Sequence, residues 1–266
     1  MVLNASFPSF LPAAPLVVPP FVVHVRDIVD STSDDAKALA NAGAPHGSVV
    51  WAREQSAGRG RYARQWVSPP GNLYMSVVLR PEVAPARTAE LGFVAALAVA
   101  ETVESFLPPG QPALLKWPND VQVDGRKISG ILLEGQFSGM EIAWVVAGIG
   151  INVTGAPDNP ENPATCLADW VGSDVTARDV AARDVLEILL SRLGAWLKIW
   201  QRDGFANVRA GWMARAARLN EIVSVRIGTE PLSGRFRGID HDGALLLETP
   251  QGTRRVTAGE AAFGPL

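Results

Sequence analysis

The stretch GRGRYARQW, residues 58–66, separates two segments that both have strand character. Residues 48–55 before it and residues 72–79 after it are rich in β-branched and aromatic side chains, which is typical of β-strands. The two glycines leave the backbone free of side-chain bulk, and three arginines supply planar forks that pair with carboxylates or phosphates. The stretch therefore predicts an anion-binding loop between two strands, with a solvated basic turn as the alternative.

Strand and helix patterns continue outward from this loop. Further strands are predicted at residues 21–28, 114–117, 121–123, 127–134 and 142–153. Apolar residues at helical spacing predict helices at residues 31–42, 86–106 and 176–200. Short turns between the later strands imply antiparallel pairing. We expect an α+β fold, in which helices cover a mixed, largely antiparallel sheet.

The C-terminal part of the chain has a different pattern. About five short strands follow one another within some 45 residues, which is typical of a small barrel. We therefore divide the chain into an irregular proline-rich arm, residues 1–20, a main domain, residues 21–218, and a small C-terminal β-barrel domain, residues 219–266.

Composition excludes several classes of protein. A formal net charge of −3 over 266 residues argues against a surface that wraps nucleic acid. Cys166 is the single cysteine, so no intramolecular disulfide forms, and a reducing cytoplasm is the expected location. The first twenty residues lack the positive region of a signal peptide. The longest apolar run is shorter than the roughly 20 residues of a membrane-spanning helix, so no membrane association is expected.

Three further segments carry reactive or closely packed residues. Lys116 to Asp120, KWPND, places a cation, an indole, an amide and a carboxylate at a strand end. Lys127 opens the segment KISGILLE on the returning strand of a predicted hairpin, although an isolated lysine is often only a solvated charge. The segment GIGINV, residues 148–153, ends a strand with two glycines, which indicates close approach of a ligand or of another backbone.

In order and spacing, these four motifs resemble the signature segments of biotin protein ligases. Asp30-Ser31-Thr32 and Gln55 also fit that family, so the resemblance covers residues 23–153 and, more loosely, the C-terminal barrel. It implies a class II synthetase-like catalytic domain followed by an SH3-like barrel. It also implies an enzyme that forms biotinyl-5'-AMP from biotin and ATP and transfers biotin to a lysine of a biotin carboxyl carrier domain.

The resemblance implies roles for individual residues. The catalytic residues would be Arg59, Arg61, Lys116, Asp120 and Lys127. The biotin-binding residues would be Ser31, Thr32, Ser33, Gln55, Gly58, Arg59, Gly60, Arg61, Lys127, Gly130 and Gly148. The nucleotide-binding residues would be Arg61, Arg64, Trp66, Asn119, Lys127 and Asn152. Mg²⁺ would arrive with ATP and have no fixed protein site.

Some roles stay open at this point. Asp120 either orients Lys116 or Mg²⁺, or accepts a proton from the acceptor lysine. Trp66 and Trp117 are candidates for the walls of the site and equally for the core. The loop is expected to close over the adenylate and to keep water away from it.

The sequence departs from the family at three positions. Ser33 stands where asparagine is common, Tyr62 where arginine is seen and Ala63 where glycine is common. Some family members carry an N-terminal helix-turn-helix, and only about 20 residues precede the first predicted strand here, too few for that unit.

Two other functions compete with biotin transfer. A lipoate ligase shares the fold and the adenylate chemistry, but KWPND together with GRGRxxR favours biotin. A biotin- or adenylate-binding regulator without transfer activity is the alternative outside enzymes. No nucleic-acid partner is expected, and a homodimer is possible.

Overall fold

The computed structural model describes residues 16–139, 141–158, 162–171, 181–227, 230–257 and 261–262. Within them the chain forms two β-sheets and four α-helices. The strands of the larger sheet are β1 (Leu16–Val18), β2 (Phe21–Val29), β3 (Ser48–Gln55), β4 (Leu73–Leu79), β5 (Ala113–Lys116), β6 (Asp120–Val123), β7 (Arg126–Ser138) and β8 (Glu141–Ile151). The helices are α1 (Thr32–Asn41), α2 (Glu90–Glu104), α3 (Ala182–Asp203) and α4 (Phe205–Ala214).

The larger sheet has the spatial order β1-β2-β3-β4-β8-β7-β6-β5. Strands β2 and β3 are parallel, because α1 carries the chain from the end of one back to the start of the other. All other neighbouring strands in this sheet are antiparallel. The predicted mixed, largely antiparallel sheet is confirmed.

The two faces of this sheet pack against different helices. Leu73, Met75 and Val77 of β4 belong to the main core, together with residues of α2 and α3. On the opposite face, Val146 of β8 packs in a small cluster with Ala36 of α1.

Side chains alternate between the faces of a strand, so Ser76 of β4 and Gly148 and Gly150 of β8 lie on the α1 face. Small residues at these positions leave room for a cleft above the sheet.

Two predicted helices differ from the structure at their ends. Helix α2 begins at Glu90 rather than residue 86, because a 3-10 turn, Pro85–Ala89, precedes it. Helix α3 extends to Asp203, and the predicted start at residue 176 lies outside the described residues.

Two elements were not predicted. Helix α4 has the apolar spacing Phe205, Val208 and Trp212, all buried, directly after the α3 terminus at Gly204. Residues 16–18, expected in an irregular arm, form β1, because Leu16–Val18 pairs antiparallel with β2 across the turn at residues 19–20. Residues 1–15 of that arm lie outside the described residues.

The smaller sheet comprises the C-terminal strands. They are β9 (Ile222–Ile227), β10 (Glu230–Ile239), β11 (Leu245–Thr249), β12 (Gly252–Val256) and β13 (Ala261–Ala262), in the order β12-β11-β10-β9-β13. All pairs are antiparallel, which is consistent with the predicted SH3-like barrel. In the described part of the chain, no helix has the length and apolar character needed to span a membrane.

Candidate functional site

A cleft of about 480 Å³ opens on the α1 face of the larger sheet. The start of α1, residues 59–67 and the adjoining parts of β7 and β8 surround it. Every site residue predicted from the sequence lines this cleft except Gly58. Gly58 lies at the base of the loop, where an added Cβ would lie 2.6 Å from the Ser68 hydroxyl. Because glycine has no Cβ, the base of the loop can pack closely against Ser68.

Residues 58–66, the Gly/Arg loop, form a narrow hairpin. The Trp66 amide donates to the Gly58 carbonyl at 2.9 Å, and the Gly60 amide donates to the Arg64 carbonyl at 2.7 Å. Tyr62 and Ala63 at the tip have φ angles of 56° and 55°, in the left-handed region. Glycine adopts that region without strain, so the tip is strained at the two positions where the sequence departs from the family.

Arg59 is held by acidic groups outside the loop. Its guanidinium donates to both carboxylate oxygens of Asp34, at 2.5 and 2.6 Å. Lys37 bridges Asp34 at 2.9 Å and Glu134 at 2.8 Å. The hydrogen bonds from Arg59 lower the pKa of Asp34 to about 2, and Lys37 acts in the same direction. This network joins α1, the loop and β7.

One end of the cleft, the neutral end, is lined by Ser31, Thr32, Ser33 and Gln55. The Gln55 side-chain carbonyl accepts from the Thr32 amide at 2.8 Å and from its hydroxyl at 3.1 Å. Ser76 lies fully buried beneath them, with its hydroxyl 2.8 Å from that of Thr32 and 3.2 Å from that of Ser33. The arrangement offers uncharged donors and acceptors to a neutral polar group.

Ser76 and Ser68 are two supporting residues that sequence reasoning missed. The Gln55 amide donates to the Ser68 hydroxyl at 2.9 Å, and that hydroxyl donates to the Trp66 carbonyl at 2.8 Å. Hydrogen bonds thus connect the neutral end to the Gly/Arg loop. The available signal for Ser76 was a single small polar side chain among the larger residues of the strand LYMSVVL.

Three glycines, Gly130, Gly148 and Gly150, make the floor of the cleft. A Cβ on Gly150 would lie 2.6 Å from the Trp66 indole nitrogen, and one on Gly130 would lie 3.0 Å from the same ring. A Cβ on Gly148 would lie 2.8 Å from the Ser33 hydroxyl. Gly130 and Gly150 face each other across β7 and β8. The floor glycines therefore let Trp66 lie directly on the sheet.

Trp66 and Trp117 differ in their environments. The Trp66 indole N–H is buried and has no hydrogen-bond partner among the described residues, and the ring lies in the cleft. Trp117 is 2% exposed, and its indole N–H donates to the Gly243 carbonyl of the small sheet at 3.0 Å. Trp66 is thus a site residue, while Trp117 also secures the contact between the two sheets.

The other end of the cleft, the cationic end, is lined by Arg64, Lys116, Lys127 and Arg218. Lys127 Nζ lies 2.6 Å from an Asp120 carboxylate oxygen and 5.3 Å from the centre of the Trp66 ring. Burial lowers the pKa of Lys116, and the positive charges of Lys127, Arg218 and Arg64 lower it further against the raising effect of Asp120. The neighbouring cations outnumber the one carboxylate, Asp120, among the described residues that line the cleft, which favours binding of an anion at this end.

The order of the strands separates the two ends. Ser76 lies on β4, the glycine floor on β8 and β7, Asp120 on β6 and Lys116 on β5, and these strands are neighbours in that order. Lys127 on β7 therefore lies between the neutral groups and the remaining cations.

Two amides occupy the rim and the interior of the cleft. The Asn119 amide donates to the Ile131 carbonyl at 3.0 Å, while its oxygen accepts from Arg61 at 3.4 Å. Asn152 is buried, and its amide donates to the Thr165 carbonyl at 3.0 Å. Both side chains are fixed by these contacts, and Asn119 connects the loop tip to the Lys116–Asp120 segment.

Comparison with known proteins agrees with this architecture. Residues 25–152 match the Biotin/lipoate A/B protein ligase family, and residues 219–264 match the Biotin protein ligase C terminal domain. A solved structure of the biotin protein ligase from Aquifex aeolicus, in complex with biotin and ATP, superimposes with a TM-score of 0.76 at 29% identity. The match covers 92% of this chain and 99% of that one.

Curated proteins with similar sequences are also ligases. The biotin--[acetyl-CoA-carboxylase] ligase of Paracoccus denitrificans is 42% identical over 237 residues, which are 88% of this chain and 98% of that protein. The Bacillus subtilis bifunctional ligase/repressor BirA is 33% identical over 90% of this chain and 73% of its own length.

Fold and cleft together define the class of enzymes that activate a carboxylic acid with ATP and attach it to protein. Within that class, the chain belongs to the biotin protein ligase family.

Proposed function

We propose that this protein joins biotin to ATP as biotinyl-5'-AMP and then transfers biotin to a lysine of a biotin carboxyl carrier domain. The observation that carries the proposal is the division of one cleft into a neutral end and a cationic end, with Lys127 between them. Biotin has a neutral ureido ring at one end and a carboxylate at the other, and ATP adds a chain of phosphates. The cleft matches this order of charges. The related structure that contains biotin and ATP supports the same assignment.

The neutral end would hold the ureido ring through Ser31, Thr32 and Gln55, with Ser33 at its side. Buried hydrogen-bonding groups discriminate strongly against ligands that leave them unpaired. The glycine floor would allow the ring and the following acyl chain to lie against the sheet. A lipoyl group has no ureido ring to satisfy these donors and acceptors, which favours biotin.

In the first half-reaction, a carboxylate oxygen of biotin attacks the α-phosphorus of ATP and pyrophosphate leaves. Two anions must approach each other, so the protein contributes mainly positive charge and alignment. Arg61 and Lys127 are the residues we assign to the carboxylate and the α-phosphate. Arg59, held by Asp34, would cover the bound intermediate from the rim. Gly58 and Gly60 would shape the loop around it.

Trp66 and Asn152 are assigned to the nucleoside. The Trp66 ring lies in the cleft and offers an aromatic face on which a base would stack. Asn152 lies at the base of the cleft, with its orientation set by Thr165. Asn119 and Arg64 would complete the nucleotide site.

Asp120 would position Lys127, since their side chains form an ion pair of 2.6 Å. Among the described residues that line the cleft, Asp120 is the one carboxylate. This donor set fits an Mg²⁺ ion held mainly by phosphate oxygens and water, which commonly needs only one or two protein carboxylates. Such an ion would arrive with ATP, Asp120 would contribute a single carboxylate to it, and the metal would neutralise phosphate charge.

In the second half-reaction, the neutral amine of the acceptor lysine attacks the acyl carbon, AMP leaves, and the nitrogen loses one proton to solvent as the amide bond forms. The carrier domain of a biotin-dependent carboxylase is the proposed partner, and the cytoplasm is the proposed location. We also propose that the main domain ends at residue 218 and that the small domain begins at residue 219. The match of the C-terminal family to residues 219–264 supports this division.

The decisive experiment supplies the purified protein with ATP, Mg²⁺ and either biotin or lipoate. We expect pyrophosphate release with biotin and much less with lipoate. Addition of a biotin carboxyl carrier domain should give a labelled product, and a carrier domain with its acceptor lysine replaced by arginine serves as the control. Equal rates with the two acids would favour a lipoate ligase. Adenylate formation without transfer would favour a regulator and contradict the proposal.

A further inference from the structure

The cleft is far more positive than the chain as a whole. The basic side chains that line it are Arg59, Arg61, Arg64, Lys116, Lys127 and Arg218, against the single carboxylate of Asp120 among the described lining residues. The complete chain has a formal net charge of −3. Five of these cations fall in the motifs GRGRYARQW, KWPND and KISGILLE, and Arg218 falls in none of them. A sixth cation therefore reaches the cleft from a different part of the chain.

Main-chain hydrogen bonds bring Arg218 to this position. After α4, the Leu115 amide donates to the Arg215 carbonyl at 2.8 Å, and the Ala217 amide donates to the Leu115 carbonyl at 2.9 Å. Leu115 and Ala216 form a parallel bridge. Because the two segments run in the same direction, the residue after Ala217 continues past Lys116, which follows Leu115. These main-chain hydrogen bonds thus place Arg218 at the cationic end of the cleft.

The guanidinium of Arg218 is fixed there by local contacts. It donates to a Glu221 carboxylate oxygen at 3.0 Å and to the Ile222 carbonyl at 2.9 Å. The residue has a φ of 62°, an unfavourable conformation for a side chain other than glycine, which the surrounding contacts must maintain. A cation held in one orientation loses little freedom when a phosphate binds, and its planar fork suits phosphate oxygens.

The electrostatics of Lys116 point to the same ligand. Its side chain is desolvated, and Lys127, Arg218 and Arg64 all oppose its charge. Asp120 and Glu221 neutralise part of this positive charge, and a polyanion bound at this end of the cleft would neutralise the rest. Lys127 already lies between the two ends, where the acid and the α-phosphate would meet. Lys116 and Arg218 lie beyond Lys127, where the terminal phosphates of ATP would extend.

We propose that Arg218, together with Lys116, binds the β- and γ-phosphates of ATP. The inference rests on the proposed function, since that function supplies the triphosphate. Arg218 lies in the segment between α4 and β9, so binding of the nucleotide would also fix the segment that connects the two sheets. The same residue should then contribute to retention of pyrophosphate before its release.

The test compares Arg218→Gln with Glu221→Gln in the full-length protein. Both substitutions break the Arg218–Glu221 ion pair, but only the first removes the cation. For Arg218→Gln we expect the KM for ATP and the inhibition constant of pyrophosphate to rise about tenfold, as for loss of one charge-assisted hydrogen bond. The affinity for biotin alone should stay unchanged. Glu221→Gln should leave the KM for ATP unchanged or lower it, and Arg218→Lys should restore part of the loss.

Two results would overturn the assignment. One is an unchanged KM for ATP in Arg218→Gln; the other is an equal increase in both variants, which would mean that the ion pair only shapes the segment. Calorimetric titration of ATP and Mg²⁺ into the wild type and into Arg218→Gln measures the affinity for the nucleotide, and so tests the proposal independently of turnover. Equal affinities there contradict it, whereas absence of biotin-dependent pyrophosphate release in the wild type contradicts the proposed function instead.

Discussion

Replacing Asp34 by asparagine tests how the Gly/Arg loop is held over the cleft. Asp34 accepts two hydrogen bonds from Arg59 and one ion pair from Lys37, so it joins the loop to the first turn of α1. Asparagine keeps the size of the side chain and removes its charge. The substitution should therefore weaken the closed position of the loop while leaving the neutral end of the cleft unchanged.

The size of the effect follows from the ion pair. The lowering of the Asp34 pKa from its ordinary 3.8 to about 2 would correspond to about 2.4 kcal/mol if it were fully realised. Arg59 and Asp34 are 36% and 45% exposed, and solvent screening reduces the contribution to about 1 kcal/mol. This corresponds to about a fivefold change in the equilibrium between closed and open loop.

The ion pair is insensitive to pH in the range of ordinary assays. Because the pKa of the folded-state carboxyl is depressed, its contribution is complete above the ordinary value of 3.8 and is lost as the pH falls through about 2. The ratio between Asp34→Asn and the wild type should thus stay constant between about pH 6 and pH 8.

The assay measures leakage of the intermediate. With biotin, ATP and no acceptor, Asp34→Asn should release AMP about fivefold faster than the wild type, and trypsin should cleave within residues 58–66 correspondingly faster. Asp35→Asn is the matched control, because Asp35 lies in the same helical turn but pairs with Arg26 at 3.3 Å. Equal behaviour of the two variants would refute the view that Asp34 holds the loop.

Three further substitutions address other parts of the cleft. Gly148→Ala places a Cβ 2.8 Å from the Ser33 hydroxyl. In a pyrophosphate-release assay, the KM for biotin should therefore rise at least about tenfold, while the KM for ATP stays unchanged. An equal change in both constants would contradict the placement of the ureido ring. Lys127→Gln should lower kcat for adenylate formation by about two to three orders of magnitude, measured in a single turnover, and a loss of biotin binding alone would argue against a catalytic role. Ala63→Gly replaces an alanine whose φ of 55° lies in the left-handed region, and so relieves about 1 kcal/mol of backbone strain. Trypsin should then cleave the ligand-bound loop more slowly than in the wild type. Faster cleavage would show that the loop tip is not strained.

The main elements were predictable because their signals are local. The apolar strand pattern at residues 48–55 coincides with β3, and the strand predicted at residues 127–134 lies within β7. Helix α4 escaped prediction because its buried positions are few, and Gly211 lies inside it. Its place in the fold comes from packing against α2 and α3 rather than from its own pattern.

The residues of the site likewise include some that the sequence predicts and others that it does not. Residues within a motif, such as Lys127, could be assigned from the sequence, because several reactive groups occur close together in the chain. The Asp34–Arg59 pair joins residues 25 positions apart, and the contact of Thr32 with Ser76 joins residues 44 positions apart. Arg218 reaches the cleft only through hydrogen bonds between distant segments. Such partners depend on strand order and register, which residue types alone do not specify.

The segment after α4 also pairs with an edge of the larger sheet. Strand β5 is the outermost strand on its side of the larger sheet, and an uncovered edge is a template for pairing with another chain. Arg215 and Ala217 occupy the free hydrogen-bonding groups of Leu115 on that edge. At the opposite side the edge strand β1 is only three residues long. The segment that carries a cation into the cleft therefore also covers part of an edge at which another strand could otherwise pair.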